Sequence, residues 1–265
     1  ALTIGWDAYC WGENSYGQSG TNSNVGTHQY TPQEITGFDS RITMVSAGRY
    51  FGCVLLENGT VGCFGAANYG AMGDGSNQET GSNIRWPVLP QNRQVVALDA
   101  GWNHVCAIMD DNSLHCWGHN SHGQVGNGNT TDIFSPVEIL DSSYDVVGVT
   151  SGAQTTCSWL SNGSGLCWGY NQYGQLGNGN NTDMSSPTWI MPHTMNDKMK
   201  IVTLDVESTE TCALYDNQAL SCWGMAQSYY GLGHGGQTDT NVPNYFIYNP
   251  YTGTRYDGTA QVSTD

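Results

Sequence analysis

The stretch VVALDAGWNHVCAIMDDNSLHCWGHNSHGQVGNGNTTD, from Val95 to Asp132, decides the fold because its features recur along the whole chain. It predicts a strand, a turn, a second strand, a tight turn and a third strand, followed by a glycine-rich loop. The segment from Ser135 to Ile139 then adds a fourth strand. Four short strands in each repeat are the unit of a propeller blade.

The Cys-Trp-Gly part of this stretch recurs, and phenylalanine replaces tryptophan once. The aromatic positions, separated by 53, 53, 51 and 55 residues, are Trp11, Phe64, Trp117, Trp168 and Trp223. A proline follows each loop, at Pro32, Pro87, Pro136, Pro187 and Pro243. Sandwiches show no such period, and solenoid coils are usually shorter. The sequence therefore predicts an all-β fold, a β-propeller or propeller segment built from five visible four-stranded repeats of about 51–55 residues.

The same alignment sets the repeat boundaries. We place the repeats of a single propeller unit, residues 1–265, at 1–43, 44–94, 95–145, 146–200 and 201–260, with 261–265 opening a further repeat. The unpaired Cys10 would have its partner one residue before Ala1. We therefore expect the native chain to extend beyond this window and to supply that partner. The alternative is that Cys10 is a free thiol or pairs between molecules.

Eight of the nine cysteines form pairs with a constant separation of ten residues. The pairs are Cys53–Cys63, Cys106–Cys116, Cys157–Cys167 and Cys212–Cys222. Their midpoints are the turn-favouring residues Asn58, Asp111, Asn162 and Asn217. A hairpin folded there sets both cysteines opposite each other, within disulfide reach, whereas zinc ligands usually sit about two to four residues apart. We predict four hairpin disulfides and hence an oxidising, extracellular location, either secreted or at the cell surface.

Charge limits the classes of partner. The chain has 23 acidic and seven basic residues, for a net charge of −16. Nucleic-acid binding needs a basic stripe to displace counterions from phosphate, so we expect no nucleic-acid partner. No apolar run approaches the ~20 residues that span a bilayer, so we expect no membrane insertion.

These blocks resemble the repeats of the regulator of chromosome condensation family, whose pattern contains an Ala-Gly pair, a histidine and WGxNxxGQLGxG. The resemblance covers essentially the whole chain and is closest at residues 100–128 and 167–179. It implies a propeller, commonly of about seven blades. Here His104 fills the histidine position, and its counterparts are Phe51, Thr155 and Thr211. The acidity and the disulfides argue against the founding member's role on a nuclear GTPase and chromatin. The paired cysteines instead resemble those of secreted members of the family.

Several side chains admit two interpretations. The recurring tryptophans are expected to fill packing positions rather than to stack on sugars. Asp132 and Asp183 recur in the glycine-rich loops, where turn capping is more common than calcium, which needs about six to eight oxygen ligands. The neighbouring His115, His119 and His122 form no metal or acid–base motif, and no nucleophile or phosphate-loop signature occurs. We predict no enzyme activity, catalytic residue, metal site or cofactor.

Two sets of surface residues are candidate sites. The N-glycosylation sequons begin at Asn58, Asn129, Asn162 and Asn180, in predicted turns and loops, although an asparagine-rich chain also generates sequons by chance. The second set is an aromatic tail that holds Tyr245, Phe246, Tyr248, Tyr251 and Tyr256. Such a cluster is typical of an interface, and the alternative is a longer loop packed on its own blade.

The sequence therefore favours an extracellular, non-catalytic scaffold that binds protein or glycan partners through its loops. The alternative is a structural subunit that associates end to end into a fibre or coat through heterologous contacts. An enzyme with an unrecognised site is a weaker alternative.

Overall fold

The computed structural model describes residues 1–21, 25–77, 83–191, 199–226, 232, 238–248, 255–256 and 261–262. Within these ranges the chain is all-β, with five antiparallel sheets and two 3₁₀ turns, Asn68–Gly70 and Ser142–Tyr144. No helix in these ranges is long and apolar enough to cross a membrane.

The sheets follow one another along the chain. Their strands are β1 (Tyr9–Gly12) and β2 (Gln29–Glu34); β3 (Ile42–Ala47), β4 (Phe51–Leu56) and β5 (Val61–Gly65); β6 (Val95–Ala100), β7 (His104–Met109), β8 (Leu114–Gly118) and β9 (Ile133–Leu140); β10 (Val146–Ser151), β11 (Thr155–Leu160), β12 (Gly165–Gly169) and β13 (Met184–Trp189); and β14 (Ile201–Val206), β15 (Glu210–Tyr215), β16 (Leu220–Gly224), β17 (Thr240–Tyr248), β18 (Arg255–Tyr256) and β19 (Gln261–Val262). Neighbouring strands pair in chain order, which is the meander of a propeller blade.

Two of the five sheets have four strands. The second sheet has only three. Its fourth strand is reduced to a single bridge between Cys63 and Arg85. Pro87 and Pro90 follow immediately, and proline has no N–H to donate to a ladder. The sequence pattern located this strand but overestimated its length.

The first and last sheets also differ from four strands. The first has β1 and β2 plus a bridge between Leu2 and Ala8. The last has six strands, because β18 and β19 extend it beyond β17. Gln261 and Val262, which the sequence assigned to a further repeat, pair with Tyr256 and Arg255 at this edge.

The second and third strands of four sheets form the disulfide-bearing hairpins. Each cysteine pair is in direct cross-strand register, with Cα atoms 4.1 Å apart, at Cys53–Cys63, Cys106–Cys116, Cys157–Cys167 and Cys212–Cys222. The hairpin turn places one residue in the left-handed region, and this residue directly follows each predicted midpoint: Gly59, Asn112, Gly163 and Gln218. The turn geometry thus sets the register that opposes the cysteines.

The core lies between successive sheets. Trp117, Trp168 and Trp223 are fully buried, each within an apolar cluster shared with the preceding sheet. The Nε1–H of Trp168 donates to the carbonyl of Gln124 at 2.9 Å, and that of Trp223 donates to Gln175 at the same distance. Each tryptophan therefore fills a packing position and ties its blade to the one before it.

The first repeat departs from this rule. Trp11 occupies the equivalent position but is 52% exposed, because no described sheet precedes its own. The neighbouring Cys10 is half-buried and forms no disulfide in the described part of the chain. Burial raises the pKa of its thiol. A partner for Cys10 outside the window stays a prediction.

Replacing both Cys53 and Cys63 with alanine should lower the free energy of unfolding by about 2–3 kcal/mol, because the loop that the disulfide closes is short. The other blades keep their own hairpin disulfides, so they should stay folded. Denaturant unfolding and disulfide mapping of the double variant test this. Loss of all folding would contradict a repeat array with local cross-links.

Candidate functional site

The two ends of the blades differ in what they expose. We call the end that carries the first-to-second and third-to-fourth strand connections the loop face, and the end that carries the disulfide hairpin turns the turn face. The loop face holds the glycine-rich WGxNxxGQ loops, such as residues 118–132, and the short connections such as Gly101–Asn103. These connections form the surface of the loop face.

A buried asparagine organises each well-formed glycine-rich loop. Asn120 is fully buried, and its Nδ2 donates to Asn127 Oδ1, the Asn129 carbonyl and the Thr131 carbonyl at 2.9–3.1 Å. Its Oδ1 accepts from Val125 N. Asn171 repeats this arrangement in the next blade, donating to Asn178, Asn180 and Thr182.

The aspartates of these loops are turn caps. Asp132 Oδ1 accepts from the main-chain N–H of Asn120 at 2.9 Å, and Asp183 Oδ1 accepts from that of Asn171 at 2.8 Å. The loop oxygens that could have surrounded a calcium ion surround the side-chain amide instead. The described residues contain no group of three or more His, Cys, Asp or Glu side chains that could hold a metal.

Aromatic side chains line the loop face from blade to blade, and we call this set the aromatic belt. Its members are Tyr16, Tyr50, Tyr69, Trp102, His119, His122, Tyr170 and Tyr173. Ring pairs within the belt have centroids 4.4–6.2 Å apart. Trp102 is 43% exposed and Tyr69 is 46% exposed, so the belt presents apolar area to solvent.

Arg49 is part of this surface. Its guanidinium carbon lies 5.0 Å from the ring centroid of Tyr50 and 4.9 Å from that of Trp102. This is cation–π geometry, with the cation held between rings of adjacent blades.

Two neighbouring depressions open beside Trp102. The first, which we call the Trp102 cleft, has a volume of about 470 Å³ and is lined by Trp102, His122, Gln154, Tyr170, Gln172, Tyr173 and adjoining loop residues. The second, which we call the central cavity, has a volume of about 360 Å³ and lies between the innermost strands. Its polar lining includes Asp99, Thr150, Ser151, Asp205 and Glu207.

Asp99 ties three blades together at the central cavity. Its Oδ1 accepts from Ser46 Oγ at 3.0 Å, and its Oδ2 accepts from the main-chain N–H of Ser151 at 2.6 Å. Burial raises the pKa of its carboxyl, the hydrogen bonds from Ser151 and Ser46 oppose that rise, and the charge of Asp205 adds to it. The cavity therefore disfavours further negative charge and favours a cation.

His104 lies behind this surface as a structural residue. Its Nε2 is 2.8 Å from Thr156 Oγ1, and that hydroxyl donates to the Gln124 carbonyl at 2.7 Å. Because the threonine hydrogen is already donated, Nε2 must carry the histidine hydrogen, and Nδ1 is buried without a partner in the described structure. Complete burial lowers the pKa of His104 to about 3.

The structure corrects one counterpart of His104. The strand positions paired with the Gly of each Cys-Trp-Gly or Cys-Phe-Gly motif are Phe51, His104, Thr155 and Glu210. Thr211, which the sequence alignment had placed there, is one residue further along and donates to the Gln175 carbonyl. The error was a slip of one position, which moves a strand residue to the opposite face of the sheet.

The pKa of His104 predicts acid sensitivity. A group whose pKa is lowered on folding stabilises the protein fully above its unfolded pKa of 6.5, and this stability is lost as the pH falls toward 3. At pH 4.5 the loss should be about 2–3 kcal/mol. We expect the H104Q variant to lose less stability over this pH range than the wild type, as measured by urea unfolding. Equal losses would contradict the assignment.

The predicted site residues distribute over both faces. The sequon residues Asn58 and Asn162 lie exposed on the turn face, and Asn129 and Asn180 lie exposed on the loop face. His119 and His122 join the aromatic belt, whereas His115 is buried in β8.

The aromatic tail is described only in part. Tyr245, Phe246 and Tyr248 lie in β17 and Tyr256 lies in β18, whereas Tyr251 lies outside the described residues. The role of this tail at an interface and glycosylation of the sequons stay predictions.

Reasoning from the sequence did not find the aromatic belt or the central cavity. A signal for the belt was present, because the variable position before the second glycine of the WGxNxxGQ loop motif holds an aromatic ring in successive repeats: Tyr16, Tyr69, His122 and Tyr173. The pairing of Arg49 with Trp102 joins residues from two blades and has no local sequence signal.

Family models identify the repeats. Two models, both described as the Regulator of chromosome condensation (RCC1) repeat, match residues 95–124 and residues 7–55, 111–159 and 162–204. Together these matches cover more than half of the chain.

Two curated plant proteins are similar over most of the chain. The Ultraviolet-B receptor UVR8 of Arabidopsis thaliana is 29% identical over 247 residues, which is 92% of this chain and 54% of UVR8. The mitochondrial RCC1 domain-containing protein RUG3 of the same plant is 23% identical over 236 residues, which is 86% of this chain and 52% of RUG3. The chain thus spans about half the length of these relatives.

Solved structures agree in fold. Human WBSCR16 superposes with a TM-score of 0.80 at 19% identity, over 94% of this chain and 69% of that one. Prp20p of Saccharomyces cerevisiae superposes with a TM-score of 0.78 at 21% identity, over 96% of this chain and 62% of that one. At these identities the likeness shows the fold, an RCC1-like β-propeller.

Proposed function

Because the chain belongs to the regulator of chromosome condensation (RCC1) repeat family, we propose that it is an extracellular, non-catalytic scaffold that binds a protein partner through its loop face. The structure of Prp20p was described together with its binding to Gsp1p and histones, and yeast RCC1 was also crystallised with Kap60. Those partners belong to that protein, and they support protein binding as the general use of such a propeller.

The observation that carries this proposal is the aromatic belt. Tyrosine, tryptophan and arginine are the residues enriched at binding hot spots. Trp102 and Tyr69 are each more than two-fifths exposed, and Arg49 is already held against Trp102. Rings supported by their neighbours lose little conformational entropy on binding, which favours affinity.

Four disulfides support the extracellular part of the proposal. Each is set by hairpin register rather than by a long-range contact, and such regular bonding persists in oxidising compartments. Labelling of a tagged full chain on intact source cells, before and after permeabilisation, tests it. Signal that depends on permeabilisation, together with absence of the chain from the culture medium, would contradict this location.

Site-specific photo-crosslinking tests the binding face. A photoreactive phenylalanine analogue is placed at Tyr173 on the loop face or at Tyr144, an exposed residue of the turn before β10. Each protein is incubated with the secreted proteins of its source and crosslinked. The proposal expects a protein crosslinked through position 173 and weakened at least about tenfold by W102A in a binding titration. A partner crosslinked through position 144 and insensitive to W102A would overturn it.

Glycan binding is a second candidate that the Trp102 cleft supports. Trp102, Tyr170 and Tyr173 offer ring faces, and Gln154 and Gln172 offer amides beside them. A glycan array probed with the wild type and W102A separates this candidate from protein binding. End-to-end association into fibres stays a prediction, and electron microscopy of the unreduced protein tests it.

A further inference from the structure

The central cavity is built from one repeated strand position. Ser46, Asp99, Thr150 and Asp205 each stand opposite the first cysteine of their own hairpin, on the innermost strand of four successive sheets. The first three accept main-chain N–H groups from the next blade: Ala100 N to Ser46, Ser151 N to Asp99 and Val206 N to Thr150. Asp205 also lines the cavity, and among the described residues no main-chain N–H donates to its side chain.

The charge of this cavity is not balanced locally. Asp99, Asp205 and Glu207 line it, and the only cationic side chain in its lining among the described residues is Arg49. Arg49 makes no ion pair in the described part of the chain, and its guanidinium lies over Tyr50 and Trp102 instead.

Trp102 joins the acidic cavity to the aromatic cleft, because its side chain borders both. The Trp102 ring already contacts a guanidinium, since that of Arg49 lies 4.9 Å from the ring centroid. Arginine suits this surface better than lysine, because its planar group stacks on rings, is weakly hydrated and bonds carboxylates with two donors.

We propose that the partner presents an arginine whose guanidinium enters the central cavity against Asp205 and Asp99, while the flanking residues of that segment pack into the Trp102 cleft. This inference rests on the proposed function, and it names the chemistry of the partner. The net charge of −16 attracts such a basic segment at long range, and the cavity selects the guanidinium at short range.

The test uses the full chain and defined peptides. The probe is the acetylated and amidated peptide Gly-Gly-Arg-Gly-Gly, and its matched probes carry lysine or glutamine at the centre. Tryptophan indole NMR follows the binding, with the Trp102 signal assigned from W102F. We expect the arginine peptide to shift the Trp102 signal saturably, the lysine peptide to bind more weakly and the glutamine peptide to have no effect.

Two isosteric variants with the same change of charge separate the contribution of the cavity to peptide binding from that of the protein's overall electrostatic field. D205N removes the charge that faces the cavity and should weaken binding of the arginine peptide about tenfold. D216N removes one charge at the turn after β15, on the turn face, and should leave binding within about twofold. Equal effects of the two variants, or equal binding of the arginine and glutamine peptides, would overturn the inference.

Failure of this inference can be distinguished from failure of the proposed function. If the arginine peptide does not bind but a partner crosslinks through position 173, the loop face binds protein by other chemistry and only this inference fails. If the peptide binds but partners crosslink through position 144, the cavity binds arginine, the proposed function fails, and the assignment of this arginine to the partner fails with it.

Discussion

The N120D variant is expected to lose about 3–5 kcal/mol of folding free energy, although it changes one atom of a side chain on a surface loop. Asn120 is fully buried, and its amide nitrogen donates to three oxygens. A carboxylate would lose these hydrogen bonds and would place a charge against the same oxygens. Urea unfolding at neutral pH measures the loss, and the melting temperature should fall by about 10 °C.

N127D is the matched control, because it makes the same chemical change in the same loop. Asn127 takes part through its Oδ1, which accepts from Asn120 Nδ2, and a carboxylate can still accept there. We expect a loss below about 1 kcal/mol. The oxygens around Asn120 resemble calcium ligands, so added calcium should partly restore N120D and leave the wild type unchanged. Equal stabilities of N120D and N127D would show that the amide does not organise the loop.

The fold was predictable because each repeat carries the same local sequence pattern. A cysteine separation of ten with a turn residue at the centre fixes a hairpin register, and the register fixes which residues face each neighbouring blade. The short fourth strand near Arg85 was not predictable from the period alone, because the prolines after it act on individual hydrogen bonds.

The candidate site was less predictable for a physical reason. Asp99 and Trp102 are ordinary members of a strand and a loop within one repeat, and their significance arises across blades. Asp99 meets the main chain of Ser151, and Trp102 meets Arg49, at sequence separations of about one repeat. A pattern that repeats reveals what every blade needs, whereas a binding surface depends on positions where the blades differ.

The glycines that contact the tryptophans show how closely the blades fit. Gly126 has φ +90°, and a Cβ added there would lie 2.6 Å from Trp168 Nε1. That nitrogen cannot easily move, because it donates to the Gln124 carbonyl of the same loop. G126A is therefore expected to cost about 3–4 kcal/mol, from left-handed strain together with an overpacked contact between blades.

Gly128 separates these two contributions, because it lies two residues away with φ +85° and almost the same backbone strain. A Cβ there would meet its nearest atom, Ser186 Oγ, at 3.7 Å, an ordinary contact. G128A should therefore cost only about 1 kcal/mol in the same denaturant titration. The difference between the two variants measures the contact with Trp168. If the variants are equally stable, the glycine is required for its backbone conformation alone, and the blades tolerate a looser contact than the structure indicates.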